Sequence, residues 1–191
     1  MAGLRYALRP PTPYLARAAE ILEVLLMLAL IPVVCGVLGL YGLLRAFEEL
    51  LRTHPRWRER AVLIQIAAPS RTGVAEYQRL KREVDELVGR INGRYGSSSS
   101  MPVVYVNQSV PRNRLMGLYR PADIALVTPV RDGMNLVALE YVAARAARGG
   151  TLILSEFAGA AQHLPGARLV NPFDTSQVAA TPRHARPRAA T

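Results

Sequence analysis

Four runs of apolar residues, each of the length of a strand, recur along the middle of the chain. They cover residues 61–67, 103–106, 124–127 and 151–154. Strands that are buried on both faces give continuous apolar runs rather than alternation. Because each run is followed by a segment with helical spacing, the pattern indicates βαβ units. It therefore predicts an α/β fold, a Rossmann-like doubly wound parallel sheet with helices on both faces.

The segments around the apolar runs show apolar residues every three or four positions, which indicates amphipathic helices. One stripe begins at Leu44 and continues through Phe47, Leu50 and Leu51. Further helices are predicted over residues 74–91, 114–119 and 135–145. Together with the strands, they predict a Rossmann-like domain over residues 45–178.

The residues before this domain contain an apolar segment, 21–44, in which positions 24–44 carry no charge. These 21 positions are long enough to cross a bilayer. Pro32 and several glycines count against a membrane helix, and a buried strand followed by a helix is the alternative. The sequence leaves both open. Residues 1–20 contain three prolines that block an early helix, so an irregular segment is expected there.

Charge and composition change this picture little. The chain has 24 basic and 14 acidic residues, but only one of the basic residues, Lys81, is a lysine, so the excess is mostly arginine. No aromatic platform, zinc spacing or recognition helix accompanies the charge, and we expect no nucleic-acid partner. The Ala-, Pro- and Arg-rich residues 179–191 are predicted to be a disordered basic tail.

Cysteine and histidine give no sign of a metal site or of catalysis by these residues. Cys35 is the only cysteine, so there is no disulfide framework, and a reducing, cytoplasmic compartment is expected. Membrane association through residues 24–44 is the alternative location. His54, His163 and His184 share no ligand spacing, and no metal is expected.

Polar and glycine residues follow each predicted strand, at residues 69–73, 107–108, 128–136 and 155–160. In an open parallel sheet, ligands bind beyond these carboxyl ends. The turn at Asp132 and Gly133 leads directly into a helix, whose amino-terminal amides suit a diphosphate. Glu140, further along the same helix, can accept hydrogen bonds from a ribose diol. On the residues alone, a capping aspartate and a solvated helix face are the favoured explanations of these two acids.

Five blocks of sequence resemble those of trehalose-6-phosphate synthases. The resemblance extends from about Leu43 to Val178, and its blocks are 63–71 (LIQIAAPSR), 89–96 (GRINGRYG), 131–144 (RDGMNLVALEYVAA), 154–161 (LSEFAGAA) and 171–174 (NPFD). The resemblance implies the GT-B arrangement of two Rossmann-like domains facing a cleft, of which this chain carries the carboxy-terminal, nucleotide-sugar-binding half. It further implies transfer of glucose from UDP-glucose to glucose 6-phosphate, without a cofactor or a protein-bound metal.

The resemblance also implies roles for individual residues. Asp132 would contact the glucose of UDP-glucose, and Arg71 would reach the acceptor phosphate; we treat these two as catalytic. Val110 would meet the uracil through its main chain, and Glu140 would hold the ribose. The diphosphate would lie at the helix start formed by Gly133, Met134, Asn135, Leu136 and Val137, chiefly at the amides of the last two.

The chain departs from the family before Gly39. The family carries an arginine and a lysine that neutralise the departing UDP, and the matching positions here are Val33 and Leu38. The amino-terminal domain that would bind glucose 6-phosphate is also missing. We therefore expect a fragment or degenerate copy that is inactive on its own. The alternative is a non-catalytic nucleotide-sugar-binding pseudo-transferase that is membrane-anchored or regulatory, or that pairs with a complete synthase. A reading-frame change before Gly39 is a third explanation.

Overall fold

A computed structural model describes residues 25–30, 36–67 and 75–184. This part of the chain contains six strands and five α-helices. The strands are β1 (Leu25–Leu30), β2 (Ala61–Ile66), β3 (Val103–Val106), β4 (Ile124–Val127), β5 (Thr151–Ser155) and β6 (Arg168–Val170). The helices are α1 (Gly36–Thr53), α2 (Ala75–Tyr95), α3 (Arg112–Tyr119), α4 (Leu136–Arg145) and α5 (Thr175–Ala180). Short 3₁₀ helices occur at Pro55–Trp57, Gly159–His163 and Thr181–His184.

The strands form one parallel sheet in the order β3-β2-β1-β4-β5-β6. All six residues of β1 pair with β2, and Met27 to Ala29 also pair with β4. The strands β2 and β3 follow β1 on one side of it, and β4, β5 and β6 then lie on its other side. This reversal is the hallmark of the Rossmann-like fold, and it opens a crevice at the carboxyl ends of β1 and β4.

Apolar side chains cover both faces of the sheet. On one face, α1, α2 and α5 pack against alternate strand residues such as Leu63, Leu126 and Ile153. On the other face, α3 and α4 pack against the residues between them, such as Ile64 and Leu154. Strands β2, β4 and β5 are buried on both sides, and their sequences are apolar almost throughout, as the pattern indicated. The predicted doubly wound α/β fold is confirmed.

The four predicted strands and four predicted helices are all present, with their ends shifted by a few residues. The first helix begins well before the predicted domain boundary at residue 45, since α1 starts at Gly36. The short strand β6 and helix α5 were not predicted. β6 has only three residues, of which two are exposed, so it lacks the apolar run that marks the other strands.

The structure distinguishes between the two interpretations left open for residues 24–44, and it corrects the one made for residues 179–184. Of the apolar segment 24–44, residues 25–30 form the central strand and residues 36–44 the start of α1, so the strand-and-helix alternative is the one found. Among the helices that the structure describes, none has both the length and the apolar character that crossing a membrane requires. At the other end, residues 179–184 of the predicted disordered tail belong to α5 and a 3₁₀ helix, and Ala179 is buried in the core. The rest of that tail and residues 1–20 lie outside the described residues.

The block 89–96 has a structural role that its sequence did not reveal. The Asn92 side chain accepts a hydrogen bond from the Val103 amide and donates one to the Val103 carbonyl, both at 2.9 Å. It thereby joins the end of α2 to the start of β3. A side chain on Gly96 would collide with the Asn92 carbonyl oxygen, to which the Gly96 amide donates. The chain can therefore leave α2 close to β3 only with glycine at this position.

Replacing Asn92 by alanine should lower the free energy of unfolding by about 1–3 kcal/mol, because both main-chain groups of the buried Val103 lose their partner. Chemical denaturation measures this difference. Asn113→Ala is the matched control, since the Asn113 side chain is exposed and accepts only from the next amide. Its effect should stay within about 0.5 kcal/mol. Equal stability of the Asn92 variant and the unchanged chain would contradict this role.

Candidate nucleotide-sugar site

The loop after β4 reaches the crevice at the carboxyl ends of β1 and β4 and runs directly into α4. It is tied to the loop after β5 by an isolated parallel bridge between Asp132 and Ala158. The Gly159 amide donates to the Asp132 carbonyl at 2.9 Å, and the Asp132 amide donates to the Phe157 carbonyl at 3.4 Å. A side chain on Gly159 would collide with the Gly133 carbonyl, so the two loops can touch only because this residue is glycine.

Asn135 caps α4 and also holds Asp132. Its side-chain oxygen accepts from the Ala138 amide at 3.0 Å, and its side-chain nitrogen donates to the Asp132 carboxylate at 2.7 Å. Asn135 is buried, whereas Asp132 is half-buried beside the start of the helix. A carboxylate is thus fixed next to the positive end of the helix dipole. Because both ends of its buried side chain are engaged, Asn135 supports the site and does not itself face a ligand.

The first amides of α4 are available to an anion. The amides of Leu136 and Val137 have no acceptor within the described part of the chain, as is usual for the first turn of a helix. Gly133, Met134 and Leu136 are exposed around them, and Val137 is half-buried. The arrangement offers two free N–H groups and a partial positive charge, which suits phosphate oxygens.

Glu140 lies one turn into α4 and is bound by two side chains from α3. Its Oε2 atom accepts from the Tyr119 hydroxyl at 3.2 Å, and its Oε1 atom lies 3.4 Å from the Arg112 guanidinium. Burial, reinforced by the Glu140 carboxylate, raises the pKa of the Tyr119 phenol above its ordinary value, so the phenol stays a hydrogen-bond donor at neutral pH. The Glu140 carboxylate is half-buried, with one oxygen towards the exposed Arg112.

Val110 lies in the loop between β3 and α3, two residues before Arg112. It is half-buried and packs against the same apolar cluster as Val137 of α4. The pair between Arg112 and Glu140 spans from α3 to α4, so the start of α3 lies within reach of α4. Val110, Glu140 and the helix start are therefore on one side of the sheet, at one edge.

Arg71 and Val33 lie outside the described residues, so the acceptor-phosphate role of Arg71 stays a prediction. Leu38 falls within α1. The described residues contain no group of three acidic, histidine or cysteine side chains that could hold a metal ion.

The sequence placed Asn107 and Thr128 after their strands, but it did not indicate that polar side-chain atoms are buried at this edge. The Oε1 atom of Gln65 near the end of β2, the Oδ1 atom of Asn107 after β3 and the Oγ1 atom of Thr128 after β4 are buried and have no hydrogen-bond partner among the described residues. It also missed Tyr119 and Arg112 beside Glu140. A signal for Tyr119 did exist, since a tyrosine at an apolar position needs a partner for its hydroxyl.

Comparisons with known proteins agree with this geometry. The model of glycosyltransferase family 20 matches residues 34–185, and that of the EccD-like transmembrane domain matches residues 1–47. The UDP-forming alpha,alpha-trehalose-phosphate synthase A of Dictyostelium discoideum is 53% identical over 141 residues, which are 74% of this chain and 19% of that protein.

Two solved structures are similar in fold and carry ligands. A UDP-forming trehalose-phosphate synthase from Burkholderia xenovorans in complex with glucose-6-phosphate has a TM-score of 0.84 and 37% identity, and the match covers 94% of this chain and 39% of that one. A structure from E. coli bound with UDP-2-fluoro glucose has a TM-score of 0.81 and 41% identity, over 95% of this chain and 40% of that one.

This chain therefore spans less than half the length of the relatives it matches, and that part includes the sheet and the site described above. The family match covers most of the chain, and relatives from several kingdoms share about half of the aligned residues. The protein belongs to glycosyltransferase family 20.

Proposed function

We propose that this chain is the nucleotide-sugar-binding part of a UDP-forming trehalose-phosphate synthase, and that it binds UDP-glucose without transferring glucose on its own. The observation that carries this proposal is the start of α4, where Asp132 is fixed by Asn135 beside the free amides of Leu136 and Val137. In the complete relatives, the reaction would join glucose to glucose 6-phosphate. The acceptor would bind only together with the second domain of the GT-B arrangement.

The helix start is suited to the diphosphate of the ligand. Two free amides point from the first turn, and the helix dipole adds to their attraction for an anion. Asp132 is held within hydrogen-bonding distance of Asn135 and leaves one carboxylate oxygen for a sugar hydroxyl. A carboxylate beside the diphosphate would repel it, which favours a role towards the neutral glucose.

Glu140 and Val110 supply the nucleoside end of the proposed site. Glu140 lies about 6 Å further along the helix axis than Leu136, since each residue advances the helix by about 1.5 Å. This spacing suits a ribose joined to a diphosphate at the helix start. Val110, on the same side of the sheet, would contact the uracil through its main chain.

Glucose transfer needs more than this site provides. As the bond to the diphosphate breaks, negative charge grows on the leaving oxygen, and full positive charges beside it lower the barrier. Val33 and Leu38 cannot supply that charge, and the partial charge of a helix start does not replace two cations. Positioning of the second substrate would in addition require the acceptor domain.

Glu140→Gln should weaken the binding of UDP about five- to thirty-fold, because an amide accepts hydrogen bonds from the two ribose hydroxyls less strongly than a carboxylate. Isothermal titration of both proteins with UDP measures the ratio. Glu59→Gln is the matched control, since Glu59 is exposed in the turn before β2, at the opposite edge of the sheet. Unchanged affinity in the Glu140 variant would rule out the assignment of the ribose site.

The purified chain, supplied with UDP-glucose and glucose 6-phosphate, should form trehalose 6-phosphate about four orders of magnitude or more below the rate of a complete synthase. Loss of two charged groups at the leaving oxygen accounts for about this factor. The assay measures released UDP and the sugar phosphate, with the complete E. coli enzyme as the positive control. A rate near that of the control would overturn the proposal.

The alternative function is that of a non-catalytic partner of a complete synthase, and the loss of the cations at Val33 and Leu38 is the observation that favours it. Size-exclusion chromatography of the chain mixed with a complete synthase tests this function. Co-elution, with a change in the turnover of the synthase, would support it. Separate elution and unchanged turnover would count against it.

A further inference from the structure

Glu140 accepts a hydrogen bond from a tyrosine that is too deeply buried to contact a ligand itself. Tyr119, the last residue of α3, is fully buried, and its hydroxyl donates to Oε2 of Glu140. No role for this hydroxyl follows from the proposed function, in which Glu140 alone meets the ribose. A buried hydroxyl directed at the carboxylate that would bind the ribose therefore needs an explanation.

The position of the Tyr119 ring is fixed by a second buried tyrosine. The Tyr119 and Tyr141 rings meet edge to face, with their centroids 6.5 Å apart and their planes at 82°. The Tyr141 hydroxyl in turn donates to the carbonyls of Ala122 and Asp123, at 3.1 and 3.0 Å, in the loop that precedes β4. The Tyr119 ring thus packs on a residue that is hydrogen-bonded to the loop before β4, and this packing restricts the movement of its phenol.

The other partner of Glu140 has much more freedom. Arg112 makes its contact from a side chain that is 80% exposed, and such pairs hold a carboxylate weakly. A glutamate on a helix surface otherwise samples several rotamers, and fixing one costs entropy when a ligand binds. Of the two neighbours, only Tyr119 can select one orientation of the carboxylate before the ligand arrives.

We propose that Tyr119 is a positioning residue, which orients the Glu140 carboxylate so that it accepts both hydroxyls of a ribose and distinguishes ribonucleotides from 2′-deoxyribonucleotides. This inference rests on the proposed function, because it takes the nucleotide site as given. With Oε2 held by the phenol, Oε1 and the remaining lone pair of Oε2 face outward together, and a vicinal diol can donate to both. A carboxylate free to rotate presents this arrangement only part of the time.

The test compares the binding of UDP and 2′-deoxy-UDP to the full chain and to Tyr119→Phe, which removes the hydroxyl and keeps the ring. We expect the variant to bind UDP about three- to ten-fold more weakly, the effect of one lost hydrogen bond. Its affinity for 2′-deoxy-UDP should change less, so that the preference for UDP falls. Tyr95→Phe is the matched control, since the buried Tyr95 hydroxyl, at the end of α2, has no hydrogen-bond partner in the part of the chain that the structure describes.

A double-mutant cycle separates positioning from a general loss of structure. If Tyr119 acts through Glu140, adding Tyr119→Phe to Glu140→Ala should cause no further loss of UDP affinity. A purely structural role would instead lower the affinity by the same factor in both backgrounds, and this result would overturn the inference.

Glu140→Asp provides an independent test that leaves Tyr119 and the core unchanged. The shorter side chain keeps its charge but withdraws the carboxylate from the phenol, so the preference for UDP over 2′-deoxy-UDP should fall as it does in Tyr119→Phe. An unchanged preference in Tyr119→Phe would overturn the role of Tyr119 and leave the proposed function intact. An unchanged preference in Glu140→Asp would overturn that role and also count against Glu140 as the ribose ligand. Failure of the unchanged chain to bind UDP would overturn both.

Discussion

The central strand β1 is the constraint on which the rest of the structure depends. It is hydrogen-bonded to β2 on one side and to β4 on the other, so it aligns the two halves of the sheet with each other. The order of the strands reverses around it, and the reversal creates the crevice beside the start of α4. Without β1, the loop that carries Asp132 would have no second half of the sheet to face.

The candidate site is built mainly from main-chain geometry, and side chains then adjust it. The contact between Gly133 and Gly159 and the bridge between Asp132 and Ala158 bring two loops together. The Asn135 side chain then fixes the position of the Asp132 carboxylate and caps α4. This division explains why a glycine and an asparagine matter as much to the site as the acids that would touch the ligand.

The sequence predicted the layers of the fold well because burial on both faces of a parallel sheet leaves long apolar runs. It could not decide between a membrane span and a strand for residues 24–44, since a strand between two others is as apolar as a span. β6 was missed because an edge strand of three residues has too few buried positions to form a pattern. Within the site, Asp132 and Glu140 were singled out by their positions and given roles by a resemblance. The partners of Glu140 depend on how α3 and α4 meet, which the spacing of residues along the chain does not indicate.

Every described residue that we assign to the nucleotide-sugar site, from Val110 to the loop at Gly159, comes from one uninterrupted stretch of α3, β4, α4 and β5. Contacts between consecutive elements close short loops, and these cost little entropy and form quickly during folding. Because these residues are contiguous in the sequence, they can be inherited, exchanged or fused as a single segment. A binding surface encoded in this way can outlast the loss of distant catalytic groups, because its geometry never depended on them.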